Sequence, residues 1–170
     1  MLKKVYNLFV ILGILVLIAI LAFMLIFLIM FSVPPSRGRL QRELIRNEVL
    51  FAGIAEFFII SGLEELIITN TDGAISIFPR EIELSEDVVH KFEYLFNNLN
   101  YRRVSKRNNY IIFDRWGGMY NSVGLLYLFE GNEPINNDSS SFFARIEELR
   151  LPNWFFYESR PLTARPNRFS

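Results

Sequence analysis

His90, Ser122 and Asp114 are the side chains from which hydrolytic chemistry could be assembled. A serine hydroxyl needs an imidazole to take its proton and a carboxylate to orient that imidazole. Tyr120-Asn121-Ser122-Val123-Gly124 comes close to a G-x-S-x-G nucleophile elbow, but Tyr120 stands where the first glycine belongs. The elbow also requires a helix after its serine, whereas Val123 to Phe129 has the composition of a strand. His90 is the only histidine, which excludes metal motifs built on two histidines. On a helix begun at Ser85 it lies about 170° from the centre of the apolar stripe, so it is expected to face solvent.

The acid pairs Glu64-Glu65, Glu81/Glu83 and Glu147-Glu148 have the composition for acid-base work. Adjacent residues on a strand point to opposite faces, so a solvated edge or charge pairing is the reading favoured for the first and third. Arg102, Arg103, Lys106 and Arg107 lie near Tyr101, Tyr110, Arg115 and Trp116. Basic residues interleaved with aromatics can grip nucleic acid or lipid headgroups, but strand alternation divides these charges between two faces. Trp154-Phe155-Phe156-Tyr157 offers aromatic surface, at least half of which alternation should bury. Asn137-Asp138-Ser139 is a lone glycosylation sequon. No phosphate loop, dinucleotide fingerprint or calcium loop is present, so no catalytic, cofactor-binding or metal-binding residue is assigned and no cofactor is expected.

The elements that must position these residues follow one dominant stretch. Leu8 to Phe31 is 24 residues without a charged or hydrogen-bonding side chain, and 19 of them are Leu, Ile, Val or Phe. As a helix it would be about 36 Å long, more than the ~30 Å hydrocarbon core of a bilayer. The expectation is an uncleaved transmembrane anchor over residues 8–33, behind a short basic tail at 1–7, with the lipid bilayer as its partner. Specific pairing of this helix lacks support, because Gly13, Ala19 and Ala22 form no small-x-x-x-small pair. Orientation is in conflict. Arg37, Arg39, Arg42 and Arg46 outnumber Lys3 and Lys4, which favours a cytoplasmic domain, while a short tail ahead of a long apolar run favours export of the carboxyl side. The export reading is preferred, giving a single-pass membrane protein with an extracytoplasmic domain.

Beyond residue 33 the chain carries all 18 acids and 16 of the 18 basic residues, a net charge of −2 that argues against bulk attraction to nucleic acid. There are no cysteines, which excludes disulfides, thiol catalysis and cysteine-ligated zinc. Pro34-Pro35 ends the first helix, and a second starts near Ser36 to Arg39. Leu40, Leu44, Ile45, Phe51, Ala55 and Phe58 recur at helical spacing. From Val49 to Leu63 the pattern is apolar nearly all round. Burial under a sheet is preferred there, with the membrane interface as the alternative, and Glu56 lies either at the helix edge or buried.

Asp72-Gly73 suits a two-residue hairpin turn that pairs Ile68 with Ile77. Val88, Phe92, Leu95, Phe96 and Leu99 form one stripe on the helix after Ser85. A meander is then expected: Tyr101–Lys106 and Tyr110–Asp114 joined through Asn108-Asn109, a turn at Gly117-Gly118, a central strand over Val123–Phe129, a polar loop around Pro134, and strands at Phe142–Leu149 and Trp154–Tyr157. The first pair sets Val104 opposite Phe113 and Arg103 opposite Asp114. The tail 160–170 is expected to be disordered. The fold class is thus α+β, one N-terminal transmembrane helix followed by a domain (34–159) of two helices on an antiparallel sheet. The function expected is a non-enzymatic binding, sensing or accessory module at a membrane; a membrane-anchored hydrolase and a small subunit of a membrane complex are the alternatives.

Overall fold

The computed structural model describes residues 13–25, 34–71, 73–80, 82–107, 109–117, 121–132 and 143–159. The chain divides into two compact units, Met1–Pro34 and Pro35–Ser170.

In the first unit a helix, α1, is described over residues 13–25, and its side chains are exposed all round, Phe23 most of all. Thirteen residues at about 1.5 Å each make roughly 20 Å, short of a bilayer core. Among the described residues no helix is long and apolar enough to cross a membrane. The transmembrane helix of the expected fold is therefore not found. Its outer parts, residues 8–12 and 26–31, lie outside the described residues, as do the basic tail 1–7, Asp72, Glu81, Asn108, Gly118, Tyr120, Pro134, the Asn137 sequon and the tail 160–170.

The second unit is α+β, with three helices where two were expected. Ser36 caps α2 (Arg37–Arg46), and its side chain accepts from the Arg39 amide. The chain breaks at Asn47 before α3 (Glu48–Ile60). Asn47 leaves the helical conformation (φ −118°, ψ 31°), and its side-chain amide donates to the Glu43 carbonyl at 2.9 Å. That local bond competes with the helix ladder, which is why a continuous apolar pattern does not make a continuous helix. α4 (Glu86–Asn97) begins after Ser85 with Glu86 and Asp87 in its first turn, where acids complement the helix dipole.

Seven strands form one antiparallel sheet: β1 (Glu65–Thr71), β2 (Ala74–Phe78), β3 (Arg103–Arg107), β4 (Tyr110–Gly117), β5 (Ser122–Leu128), β6 (Phe143–Glu148) and β7 (Trp154–Ser159), in the spatial order β2-β1-β3-β4-β5-β7-β6. Ile68 faces Ile77, Val104 faces Phe113 and Arg103 faces Asp114, as the turn residues imply. The carboxyl end departs from a meander, because β7 pairs with β5 and leaves β6 at the edge. Most of β7 is buried, while β6 carries Arg145, Glu147 and Glu148 and tolerates an edge.

Side-chain alternation builds a core on each face. Leu66, Ile68, Val104, Ile111, Phe113, Val123, Leu125, Trp154 and Phe156 meet Leu40 and Leu44 of α2, Phe51, Ile54 and Phe58 of α3, and Phe92 and Leu95 of α4. Phe51 is fully buried at the centre and contacts the rings of Tyr101, Phe113 and Trp154 edge-on. On the opposite face Ile112, Leu126, Leu128, Phe143 and Tyr157 form a second cluster. Gly124 is needed where β4 and β5 cross: a β-carbon there would overlap the Phe113 carbonyl oxygen, beside a register shift between Asp114 and Trp116.

Candidate functional site

On the second face of the sheet, buried polar groups meet around Asp114. Its Oδ2 accepts from Arg103 Nε at 2.5 Å, with Arg103 Nη2 equally close, and its Oδ1 accepts from the Tyr157 hydroxyl. Asp114 is supplied by β4, Arg103 by the neighbouring β3 and Tyr157 by β7, two strands away across the small Gly124. Burial, together with the Asp114 charge and hydrogen bond, holds the Tyr157 phenol well above its ordinary range, Ser122 and Arg103 acting the other way. Beside it the Ser159 hydroxyl accepts from the Ser122 amide at 2.6 Å, and the two serine hydroxyls lie 3.1 Å apart.

Two residues of the conceivable triad, Ser122 and Asp114, thus belong to one network, but Tyr157 fills the place an imidazole would need. His90 is on α4, on the helical side of the sheet, where its ring nitrogens lie 3.1 Å from Glu93 and 3.9 Å from Glu86 in solvent. A strand, β5, follows Ser122. Both Asp114 oxygens are occupied by donors, so the arrangement can clamp three strands together but offers Ser122 no base.

The remaining candidates disperse. Glu147 of the last acid pair binds Arg37 Nε at 3.1 Å and Arg145 Nη2 at 2.5 Å, tying the start of α2 to the sheet edge. The basic cluster separates as alternation requires. Arg102 donates to the Gly117 carbonyl at 2.6 Å, and Arg115 donates to the Asn100 carbonyl at 2.8 Å and reaches Glu43 at 3.6 Å. The Tyr101 hydroxyl is buried beside this last pair, and burial first, then the Glu43 charge, raises its pKa well above the usual value. Lys106 is buried beneath the last turn of α3, where Nζ donates to the Phe58 carbonyl at 2.9 Å and lies 5.5 Å over the Phe129 ring. Its pKa is lowered by burial. A lysine on the carbonyl end of a helix is a structural cap. Trp154 and Phe156 join one core and Tyr157 the other, so the aromatic run is interior.

One concavity was not legible in the sequence. A groove of about 260 Å³ runs between α3 and the β5–β7 end of the sheet. Glu48 and Glu56 of α3 and Glu130 after β5 line it, above Tyr127 and Trp154. These acids are exposed and make no ion pair among the described residues. Glu56 thereby takes the helix-edge alternative. Glu130 is 74 positions beyond Glu56, and no local spacing relates them. Among the described residues no group of acids and histidine could hold a metal ion.

Comparison with known proteins gives no further guide, since no family model, curated protein or solved structure matches this chain.

Proposed function

We propose that this protein is a non-catalytic binding or accessory module kept at a membrane by the apolar run at its amino terminus, and that the groove beneath α3 receives a basic side chain of a protein partner. The observation that carries the reading is the groove itself. Three glutamates from two separate elements line it without a counter-charge among the described residues, whereas Asp114, Glu43 and Glu147 are each answered by an arginine of the fold. Unpaired acids beside aromatic rings favour a cationic group, through charge and through the ring faces. The membrane part of the reading rests on Leu8 to Phe31, whose side chains gain by leaving water for lipid.

The test uses the full chain in the cells that make it. A photo-crosslinking residue replacing Ala52, exposed on the groove wall, should yield one discrete adduct in the membrane fraction. The adduct should disappear in the Glu48→Lys/Glu56→Lys/Glu130→Lys variant. Recovery of the protein without detergent would overturn the membrane part, and an adduct indifferent to charge reversal would overturn the role of the groove.

A further inference from the structure

The face of α2 turned to solvent carries charge of one sign. Leu40 and Leu44 point into the core, while Arg39, Arg42 and Arg46, spaced three and four apart, share the opposite side. All three are exposed and make no ion pair among the described residues. The other charges of α2 are engaged, Arg37 with Glu147 and the inward-turned Glu43 with Arg115. Apolar side chains flank the stripe. Ile45 is 43 % exposed, and Val49, just past the Asn47 break, is 86 % exposed. Glu48 and Glu56 belong to the groove wall.

We propose that the Arg39, Arg42 and Arg46 face of α2, with Ile45 and Val49 at its margin, docks on anionic lipid headgroups. The inference rests on the membrane reading above. A lipid surface fits for two reasons. Three unpaired guanidiniums with apolar neighbours complement a negatively charged interface, the guanidiniums binding phosphate oxygens and the aliphatic groups entering the acyl boundary. The chain also enforces proximity: six residues lead from Phe31, the end of the apolar run, to Arg37, a reach of at most about 20 Å. A face tethered so closely meets the lipid at high effective concentration. Each arginine near an anionic surface shifts the docked fraction about fivefold, so three together give on the order of a hundredfold. The attraction is screened over roughly 8–10 Å at physiological salt and should weaken as salt is raised.

The chain has no native cysteine, so Val49→Cys in the full-length protein can be labelled singly with an environment-sensitive fluorophore. The labelled protein is reconstituted into vesicles of phosphatidylcholine alone, or with about a third phosphatidylserine to supply the anionic surface. Flotation reports membrane association, and Arg150→Cys, exposed beyond β6, provides the control label. The expected result is flotation with both vesicles, with a blue shift and quenching by lipid-borne quencher at position 49 only on the anionic vesicles. The response should be lost in Arg39→Gln/Arg42→Gln/Arg46→Gln and at high salt, and restored by the triple lysine variant. Flotation without that response, including a label that answers only to an added acidic protein, overturns the lipid assignment and leaves the membrane reading standing. A response equal on both vesicles, or retained by the triple glutamine variant, removes the arginines from the account. Failure to float overturns both readings.

Discussion

Tyr157→Phe isolates one hydrogen bond in a buried network. The substitution removes a hydroxyl and keeps the ring that packs edge-on against Phe143, with centroids 5.6 Å apart. Asp114, whose side chain is 8 % exposed, then has an Oδ1 facing protein where it had a donor. Hydrogen bonds to charged groups contribute about 1.5–3 kcal/mol, and an orphaned buried acceptor cannot recover that from water. Arg103 stays on Oδ2, but its side chain is 43 % exposed, so solvent screens its attraction and it compensates little. A loss of about 2 kcal/mol is expected, which for a domain of this size lowers Tm by roughly 6–10 °C. Asp114→Asn keeps the shape and an acceptor for Tyr157 but removes the charge, and should cost about 1 kcal/mol. The double variant should fall short of additivity by about 1–2 kcal/mol, because both changes act on one bond. Urea unfolding of the full chain in mild detergent, followed by fluorescence of buried Trp154, measures all three. A Tyr157→Phe change under about 0.5 kcal/mol, or strict additivity, would refute the claim that this contact clamps the sheet.

Further outcomes follow from the same packing. Phe51→Ala should cost about 3–5 kcal/mol, since it empties a fully buried site contacted by three rings, and the loss is read from urea midpoints. Gly124→Ala should destabilise at least as much through strand separation, visible as hydrogen-exchange protection lost first in β4 and β5. Stability should also depend on alkaline pH in two opposed ways. Burial holds the folded Lys106 pKa below the ordinary lysine value of 10.5, so between the two values the unfolded chain binds more protons and stability rises with pH. Tyr101 and Tyr157 have folded values well above 10.0, so their contribution is complete below that pH and is lost as pH rises beyond it. Urea midpoints from about pH 7 to 11 should rise and then fall, Lys106→Met flattening the rise and Tyr157→Phe lessening the fall.

Features carried by neighbouring residues were legible. Counting outward in the sequence from Asp72-Gly73 and from Asn108-Asn109 predicts Ile68 opposite Ile77, Val104 against Phe113 and Arg103 against Asp114, and the strands pair in those registers. The stripe on α4 buries Phe92, Leu95 and Phe96 and leaves His90 in solvent, because a 3.6-residue period needs no knowledge of what it packs against. The region from Val49 to Leu63 shows where this logic stops. An apolar pattern on all sides states no direction, and the structure buries Phe51, Ile54, Ala55 and Phe58 while exposing Val49, Ile59 and Ile60. The apolar run from Leu8 to Phe31 met the same difficulty, since hydropathy alone implied a spanning helix that the described residues do not contain.

Period, turn chemistry and capping residues determined, from the chain alone, an α+β domain, most of its strands and the pairing across its two short turns. Tertiary structure decided the rest. It inserted β7 between β5 and β6, broke the helix at Asn47, joined Asp114 to Tyr157 and set Glu130 across a groove from Glu48 and Glu56. Each of these depends on partners distant in sequence or on competition between a local bond and a longer ladder. Local patterning states which face of an element is apolar, but only the competition among all such faces for the same core determines which neighbour each one meets.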